Sequence, residues 1–203
     1  MDEKNEDFLV ETFDKNGKQT FDNVLLKKNG SSERFIANIP KNILKLIEDN
    51  QQGIKLDIGG GFNPQKGFVN LDIRDLDGVD IVHNAESIPY PLPSECCGTI
   101  LASHLIEHIC PRRFISVMNE WWRIMKPGGQ LLISCPHGRS DGMLQDPSHC
   151  LAVNETTFTY FDYTKPLYHI YKPKPWEIKS NVWFENGNIE VIMEKVLKME
   201  VER

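Results

Sequence analysis

The sequence predicts an α/β protein with a doubly wound, mostly parallel seven-stranded sheet ending in an antiparallel hairpin. Three observations lead there. Short apolar runs of strand length alternate with stretches of helical period, as they do when helices cover both faces of a parallel sheet. One of these runs (Ile54, Leu56 and Ile58, with a single acid at Asp57) breaks into Gly59-Gly60-Gly61, a turn that needs positive φ and leaves bare backbone against which a ligand can lie. Near the end, residues 176–184 and 189–198 read as two strands on either side of Glu185-Asn186-Gly187-Asn188.

The elements follow in order. Residues 8–28 interleave apolar and polar side chains around Asn16-Gly17, a hairpin signal, and define an N-terminal hairpin extension over residues 1–35 ahead of a main domain over 36–203. Pro40 opens an amphipathic helix with Ile43, Leu44, Leu46 and Ile47 on one face, which Gly53 closes. Residues 68–73 form a second strand with Asp72 near its carboxyl end, and 79–82 a third. Residues 99–103 are the fourth. Pro111 starts a helix to about residue 125, stopped by Lys126-Pro127-Gly128-Gly129. The fifth strand, 130–134, is nearly continuous in apolar residues, as a strand buried on both faces should be. Residues 137–175, rich in aromatics, His and Pro, read as irregular and too long for a mere connection.

Composition narrows the function. A chain of 203 residues with 40% hydrophobic side chains suits one globular domain. Its net charge of -6 argues against nucleic acid as the partner, since such surfaces cluster Lys and Arg. No apolar run approaches the roughly 18 residues that span a bilayer. Five cysteines, none in a C-x-x-C pair, suit reduced thiols, so a cytoplasmic location is expected.

With these pieces in place, LDIGGGFNP, FVNLDI, IVHNAESIPYPLP, ILASHLIEHI and EWWRIMKPGGQLLIS resemble, in order and spacing, the class I S-adenosylmethionine-dependent methyltransferases. The resemblance runs from about residue 54 to residue 134. It implies S-adenosyl-L-methionine as cofactor, with Gly59 and Gly61 beneath its methionine and ribose parts and Asp57 ordering the turn. It also implies that Asp72 accepts hydrogen bonds from both ribose hydroxyls, a task to which a carboxylate's two oxygens are suited. Asn84 and Ala85 would read adenine, Asn84 through its side-chain carbonyl. Ser103 and His104 would lie beside the sulfonium. Two departures stand out: only about ten residues separate Gly61 from Asp72, so the usual crossover helix must be short or missing, and Ser94-Glu95-Cys96-Cys97-Gly98 replaces a common Phe-Asp pair.

Rival readings fit less well. A nicotinamide-dinucleotide fingerprint would need glycine where this chain has Pro64. His104-Leu105-Ile106-Glu107-His108 spells H-x-x-E-H, an inverted zinc-protease pattern, but no downstream third ligand is evident and no metal is expected. A cofactor-binding protein without turnover is the alternative to an enzyme.

For the chemistry, His149 with Asp146 three residues earlier is the favoured general base, and His137 is the other candidate; both follow the fifth strand, at the edge where doubly wound folds bind ligands. Tyr160, Phe161 and Tyr163 would wall the acceptor pocket. Nothing like the D/N-P-P-Y/F motif of DNA amino-methyltransferases follows the fourth strand; an O or N acceptor on a small molecule or a glycan precursor is expected, ahead of RNA or protein.

Overall fold

The structure is a computed structural model, and it describes residues 41–197 together with two short strands, β1 (Thr12–Phe13) and β2 (Gln19–Thr20). These two pair antiparallel, with Thr12 opposite Thr20. The remainder of the N-terminal extension, Pro40 and residue 198 lie outside the described residues.

Seven strands form the central sheet: β3 (Ile54–Ile58), β4 (Val69–Asp72), β5 (Ile81–Val82), β6 (Cys97–Ser103), β7 (Met125–Pro136), β8 (Trp176–Trp183) and β9 (Asn188–Lys195). Their order is β5-β4-β3-β6-β7-β9-β8, parallel from β5 to β7, with β9 inserted antiparallel between β7 and β8. The chain moves outward from β3 to β4 and β5, then returns to lay β6 on the other side of β3. That reversal opens a crevice at the carboxyl ends of β3 and β6, where open α/β sheets bind ligands.

The crossover from β3 to β4 contains no helix. Reverse turns fill it instead, with the Asn63 N–H donating to the Gly60 carbonyl and the Phe68 N–H to that of Gln65. The short spacing between Gly61 and Asp72 therefore has its predicted consequence.

Helix α1 (Lys41–Asp49) buries only Ile43, while Leu44 and Leu46 face outward. The apolar face read from the sequence is thus narrower than its periodicity implied. Gly53 follows at φ +86°, where a Cβ would meet the Gly98 nitrogen at 2.6 Å. A close backbone approach, as well as chain reversal, fixes that glycine.

Helix α2 (Phe114–Ile124) buries Phe114, Val117, Met118, Trp121 and Ile124 against the sheet, one stripe at helical spacing. It starts after Pro111, which sits in a turn closed by the Arg113 N–H on the Cys110 carbonyl. It ends at Ile124, within a residue of the sequence reading, but the stop signal has a different role. Met125 already pairs with Cys97, and the ladder resumes at Thr99 and Gln130, so Lys126-Pro127-Gly128-Gly129 is an irregularity at the start of β7.

The segment read as irregular contains three short helices: α3 (Asp141–Gln145), α4 (Glu155–Thr159) and α5 (Tyr168–Tyr171). None exceeds five residues, too few to establish a helical period. Only α4 carries a readable start signal, a capping box in which the Asn154 carbonyl accepts from the Thr157 N–H.

Candidate active site

The glycine turn leaves the carboxyl end of β3 at the crevice. Gly59 (φ +82°) donates its N–H to the Leu71 carbonyl at 2.7 Å, and Gly61 (φ +55°) donates to Asp72 Oδ2 at 3.0 Å. Between them a Cβ on Gly60 would strike Asn70 Oδ1 at 2.6 Å and Asp57 Oδ2 at 2.9 Å. Asp57 Oδ2 accepts the Gln65 N–H at 2.7 Å, across this turn. The turn is therefore pinned by two acids, one from β3 and one from β4.

Their environments push them apart. Burial raises the Asp57 pKa above the ordinary carboxylate range, against the pull of the Gln65 N–H. Burial also acts on Asp72, but hydrogen bonds and charge from Arg74, with the Gly61 N–H, outweigh it and hold that acid low. Arg74 lies over the carboxylate, with Nε 3.0 Å from Oδ1 and Nη2 3.3 Å from Oδ2. Beside it, Ile73 and Phe62 are exposed apolar side chains at the crevice. Acceptor oxygens, bare glycines and an apolar rim fit the nucleoside end of S-adenosylmethionine once Arg74, itself half exposed, moves aside.

Asn84 behaves differently from the sequence reading. Its side-chain carbonyl accepts the Glu86 N–H at 2.9 Å, an Asx turn, so the group assigned to adenine already serves its own loop. Ala85 is held firmly. Its carbonyl accepts from the Tyr90 hydroxyl at 2.8 Å, which in turn accepts from Trp121 Nε1 at 2.9 Å.

At the end of β6, Ser103 pairs in register with Ser134, and His104 follows at φ +51°. A left-handed conformation is costly for a histidine, and the His104 N–H bond to the Ser134 carbonyl at 2.7 Å helps to hold it. The ring is half exposed; Nδ1 lies 3.2 Å from Glu107 Oε1, and Nε2 lies 3.5 Å from Asn188 Nδ2 at the start of β9.

His137 is poorly placed to act as a base. It is 2% exposed and stacks on Trp183 with ring centroids 3.8 Å apart. Its Nδ1 accepts the Arg139 N–H at 3.1 Å, which puts the ring proton on Nε2, 3.3 Å from Glu155 Oε2. No ring lone pair is left to take a proton from an acceptor.

His149 is different. Its Nδ1 lies 3.2 Å from the Met143 carbonyl and therefore carries the proton, which leaves the lone pair on Nε2. Asp146 Oδ2 is 3.9 Å from that nitrogen, beyond hydrogen-bond range, so the carbonyl rather than the carboxylate orients the ring. Asp146 is engaged elsewhere. Its Oδ1 accepts from the Ser148 hydroxyl at 2.6 Å and the Ser148 N–H at 2.8 Å, and these bonds lower its pKa.

The structure adds neighbours the sequence reading missed. His108 packs edge-on to His149, with centroids 4.8 Å apart, and its Nδ1 lies 3.1 Å from Ser148 Oγ. Glu107 is 1% exposed, and its backbone carbonyl accepts from the N–H groups of Cys150 and Leu151, which ties this loop to the one bearing His149. The H-x-x-E-H spacing was the available signal, but its helical geometry misleads. Only Ile106–His108 is helical, a single 3-10 turn, and the histidine that joins His108 is His149.

A groove of about 540 Å³ opens beside the β8–β9 turn, lined by Arg139, Ser140, Trp183, Phe184 and Asn186 among others. The aromatics proposed to wall the acceptor pocket lie outside it. Phe161 is buried edge-on against Phe114, and Tyr160 packs beside Tyr171. Among the described residues, no helix is long and apolar enough to cross a membrane.

Comparison with known proteins agrees with this geometry. Residues 61–133 match the model of a methyltransferase domain. A SAM-dependent methyltransferase from Archaeoglobus fulgidus shares 17% identity at a TM-score of 0.52, over 76% of this chain and 92% of its own. A protein from Pyrococcus horikoshii is similar at a TM-score of 0.51 and 13% identity, over 77% of this chain and 88% of its own. A 16S rRNA (adenine-N1)-methyltransferase from Catenulisporales acidiphilia, solved with SAM, is similar at 0.50 and 13%, over 78% and 92%. No curated protein sequence matches significantly. The methyltransferase-domain match begins at the last glycine of the turn and ends in β7, and the chain has the mostly parallel α/β fold, with its antiparallel terminal hairpin, of the SAM-dependent methyltransferase structures it resembles.

Proposed function

We propose that this enzyme methylates an oxygen or nitrogen of a small molecule or glycan precursor bound in the groove beside the β8–β9 turn. The observation that carries this reading is the groove itself. Its volume of about 540 Å³ falls within the range of small-molecule sites, Trp183 and Phe184 offer aromatic faces, and Arg139 supplies a cation. Asn188, the first residue of β9 and next to Gly187 of the groove, lies beside His104 after β6, which links the groove to the crevice. An acidic chain with an open groove lined by two aromatics suits such an acceptor better than nucleic acid.

S-adenosylmethionine supplies a methyl group on a sulfonium, already a good leaving group. The chain's own residues have three tasks: to hold the nucleoside, to align the acceptor, and to remove its proton. In this reading Asp72, Gly59, Gly61 and the Ala85 backbone do the first, with Asn84 shaping the Ala85 loop, and the groove does the second. Ser103 and His104 stand between them. Proton removal falls to the cluster around His149, whose Nε2 lone pair is the one left by its hydrogen bonding, and Asp146 acts on it through Ser148 and His108. The free thiols at Cys96, Cys97, Cys110, Cys135 and Cys150 support a reducing, cytoplasmic setting. We also assign the methyltransferase domain to residues 36–203 and a separate hairpin extension to 1–35.

The test is a product assay with S-adenosylmethionine against small-molecule, glycan-precursor, RNA and peptide acceptors, read by mass spectrometry. Methyl transfer to the first two classes is the expected result, with Trp183→Ala raising acceptor KM while cofactor Kd is unchanged. Product on RNA or peptide alone would overturn the acceptor assignment. Cofactor binding with no product from any class would favour a binding protein. His149→Ala should lower turnover by about 10²–10⁴-fold at unchanged cofactor affinity.

A further inference from the structure

We propose that Glu107, His108 and His149 form a site for a divalent transition-metal ion, of which Zn²⁺ is the natural occupant. A carboxylate oxygen of Glu107 and one ring nitrogen from each histidine lie within 4.8 Å of one another. Two imidazoles and one carboxylate are a donor set suited to Zn²⁺, and three protein ligands leave a position open.

Two observations beyond proximity point to an ion. The first is an orphaned oxygen: Glu107 is 1% exposed, Oε1 meets His104 Nδ1, and Oε2 has no hydrogen-bond partner. A buried carboxylate oxygen without a partner is costly, and a cation would satisfy it.

The second is the arrangement of protons around the two rings. His149 Nδ1 faces the Met143 carbonyl, an acceptor only, so its proton sits there and Nε2 keeps a lone pair. Ser148 Oγ gives its proton to Asp146 Oδ1 at 2.6 Å and so accepts from His108 Nδ1 at 3.1 Å. The His108 lone pair is therefore also on Nε2. Metal-ligating histidines are characteristically held this way, with the far nitrogen donating to a carbonyl or a carboxylate-linked group.

The two loops are also fixed before any ion arrives, because the Cys150 and Leu151 N–H groups both bond the Glu107 carbonyl. Ligands at about 2.1 Å from a tetrahedral centre stand roughly 3.4 Å apart, so the donors need close only modestly. His104, on the other oxygen of the same carboxylate, connects the site to the end of β6. An ion there would offer its open position to an oxygen of the acceptor, and the action assigned above to His149 would be exerted through the ion. That role rests on the methyl-transfer reading; metal binding does not.

The test uses the full chain stripped with chelator, then titrated with Co²⁺ and followed by visible absorption, with Zn²⁺ as competitor. About one Co²⁺ per chain is expected, displaced by Zn²⁺. His108→Ala, His149→Ala and Glu107→Gln should each weaken binding at least tenfold, and Ser148→Ala, acting through His108, by about tenfold. His169→Ala, an exposed histidine elsewhere, should not change it. Circular dichroism checks that each variant folds; His108 is exposed and Glu107→Gln nearly isosteric, so these two decide the matter if His149→Ala does not fold. No Co²⁺ absorption band, or one that persists in His108→Ala and Glu107→Gln, overturns the proposal. S-adenosylhomocysteine binding to the stripped protein, measured by calorimetry, separates that failure from a failure of the methyltransferase reading.

Discussion

Arg74 lies across both carboxylate oxygens of Asp72, with its own N–H and Nε on Oδ1 and Nη2 facing Oδ2. These are the oxygens to which the ribose hydroxyls would donate. Sugar and guanidinium therefore compete for one carboxylate, and the arginine must yield. The arginine side chain is half exposed, so solvent screens the pair and parting it is inexpensive. Arg74→Ala should tighten cofactor binding by up to about fivefold. Asp72→Asn should weaken it at least tenfold, because an amide has one acceptor oxygen where a carboxylate has two. Isothermal titration with S-adenosylhomocysteine checks both, and weaker binding in Arg74→Ala would make the arginine part of the site.

Asp57 and Asp72 pin the same turn but should respond oppositely to pH. Asp72 has a depressed pKa, so its contribution to stability is present above its unfolded value near 3.9 and is lost as pH falls through the lower folded value. Asp57 has a raised pKa. Its ionised form is disfavoured in the fold, and the resulting penalty grows as pH rises from the unfolded toward the folded value and persists above it. Asn in its place still offers an oxygen to the Gln65 N–H. Asp57→Asn should raise Tm by a few degrees at neutral pH, with the difference disappearing in acid; an unchanged Tm difference across pH would refute the argument.

The parts of this protein legible in its sequence were those that local chemistry repeats. Glycines before an acid-ended strand, continuous apolar runs and a Gly-bearing hairpin turn each carry their own signal, so the seven strands of the sheet, and with them the crevice at the carboxyl ends of β3 and β6, could be read from the sequence. The acceptor side could not. His149 meets His108 only because backbone bonds from Cys150 and Leu151 fold its loop onto Glu107, contacts separated by about forty residues that no local pattern encodes. His137 was misread for a related reason. A histidine after a strand end is equally suited to catalysis and to packing, and only the stack on Trp183 decides between them. Asn84 shows a third limit, since an amide that can read a base can also cap its own turn.

Tyr90 connects the core to the nucleoside crevice. Its hydroxyl donates to the Ala85 carbonyl and accepts from Trp121 Nε1, in a wholly buried position. Phenylalanine there would leave both groups without a partner, at a cost of about 1–3 kcal/mol. Tyr90→Phe should lower denaturation midpoints accordingly and weaken cofactor binding, because the Ala85 loop loses its anchor. Lower stability with unaltered cofactor affinity would confine Tyr90 to the core.

His137 supplies the converse case, a histidine near the crevice whose loss should be structural. Its ring fills the space between Trp183 and Glu155, and its Nδ1 accepts the Arg139 N–H at the mouth of the groove. Glutamine can replace one of these hydrogen bonds but cannot reproduce the stack, so His137→Gln should cost about 1–3 kcal/mol in stability. The groove shares Arg139 and Trp183 with this contact, so acceptor KM should rise as the rim loosens. Turnover at saturating acceptor should keep its wild-type pH dependence, because the ring has no lone pair with which to act as a base. A shifted pH–kcat profile in this variant, at unchanged KM, would return His137 to the chemistry.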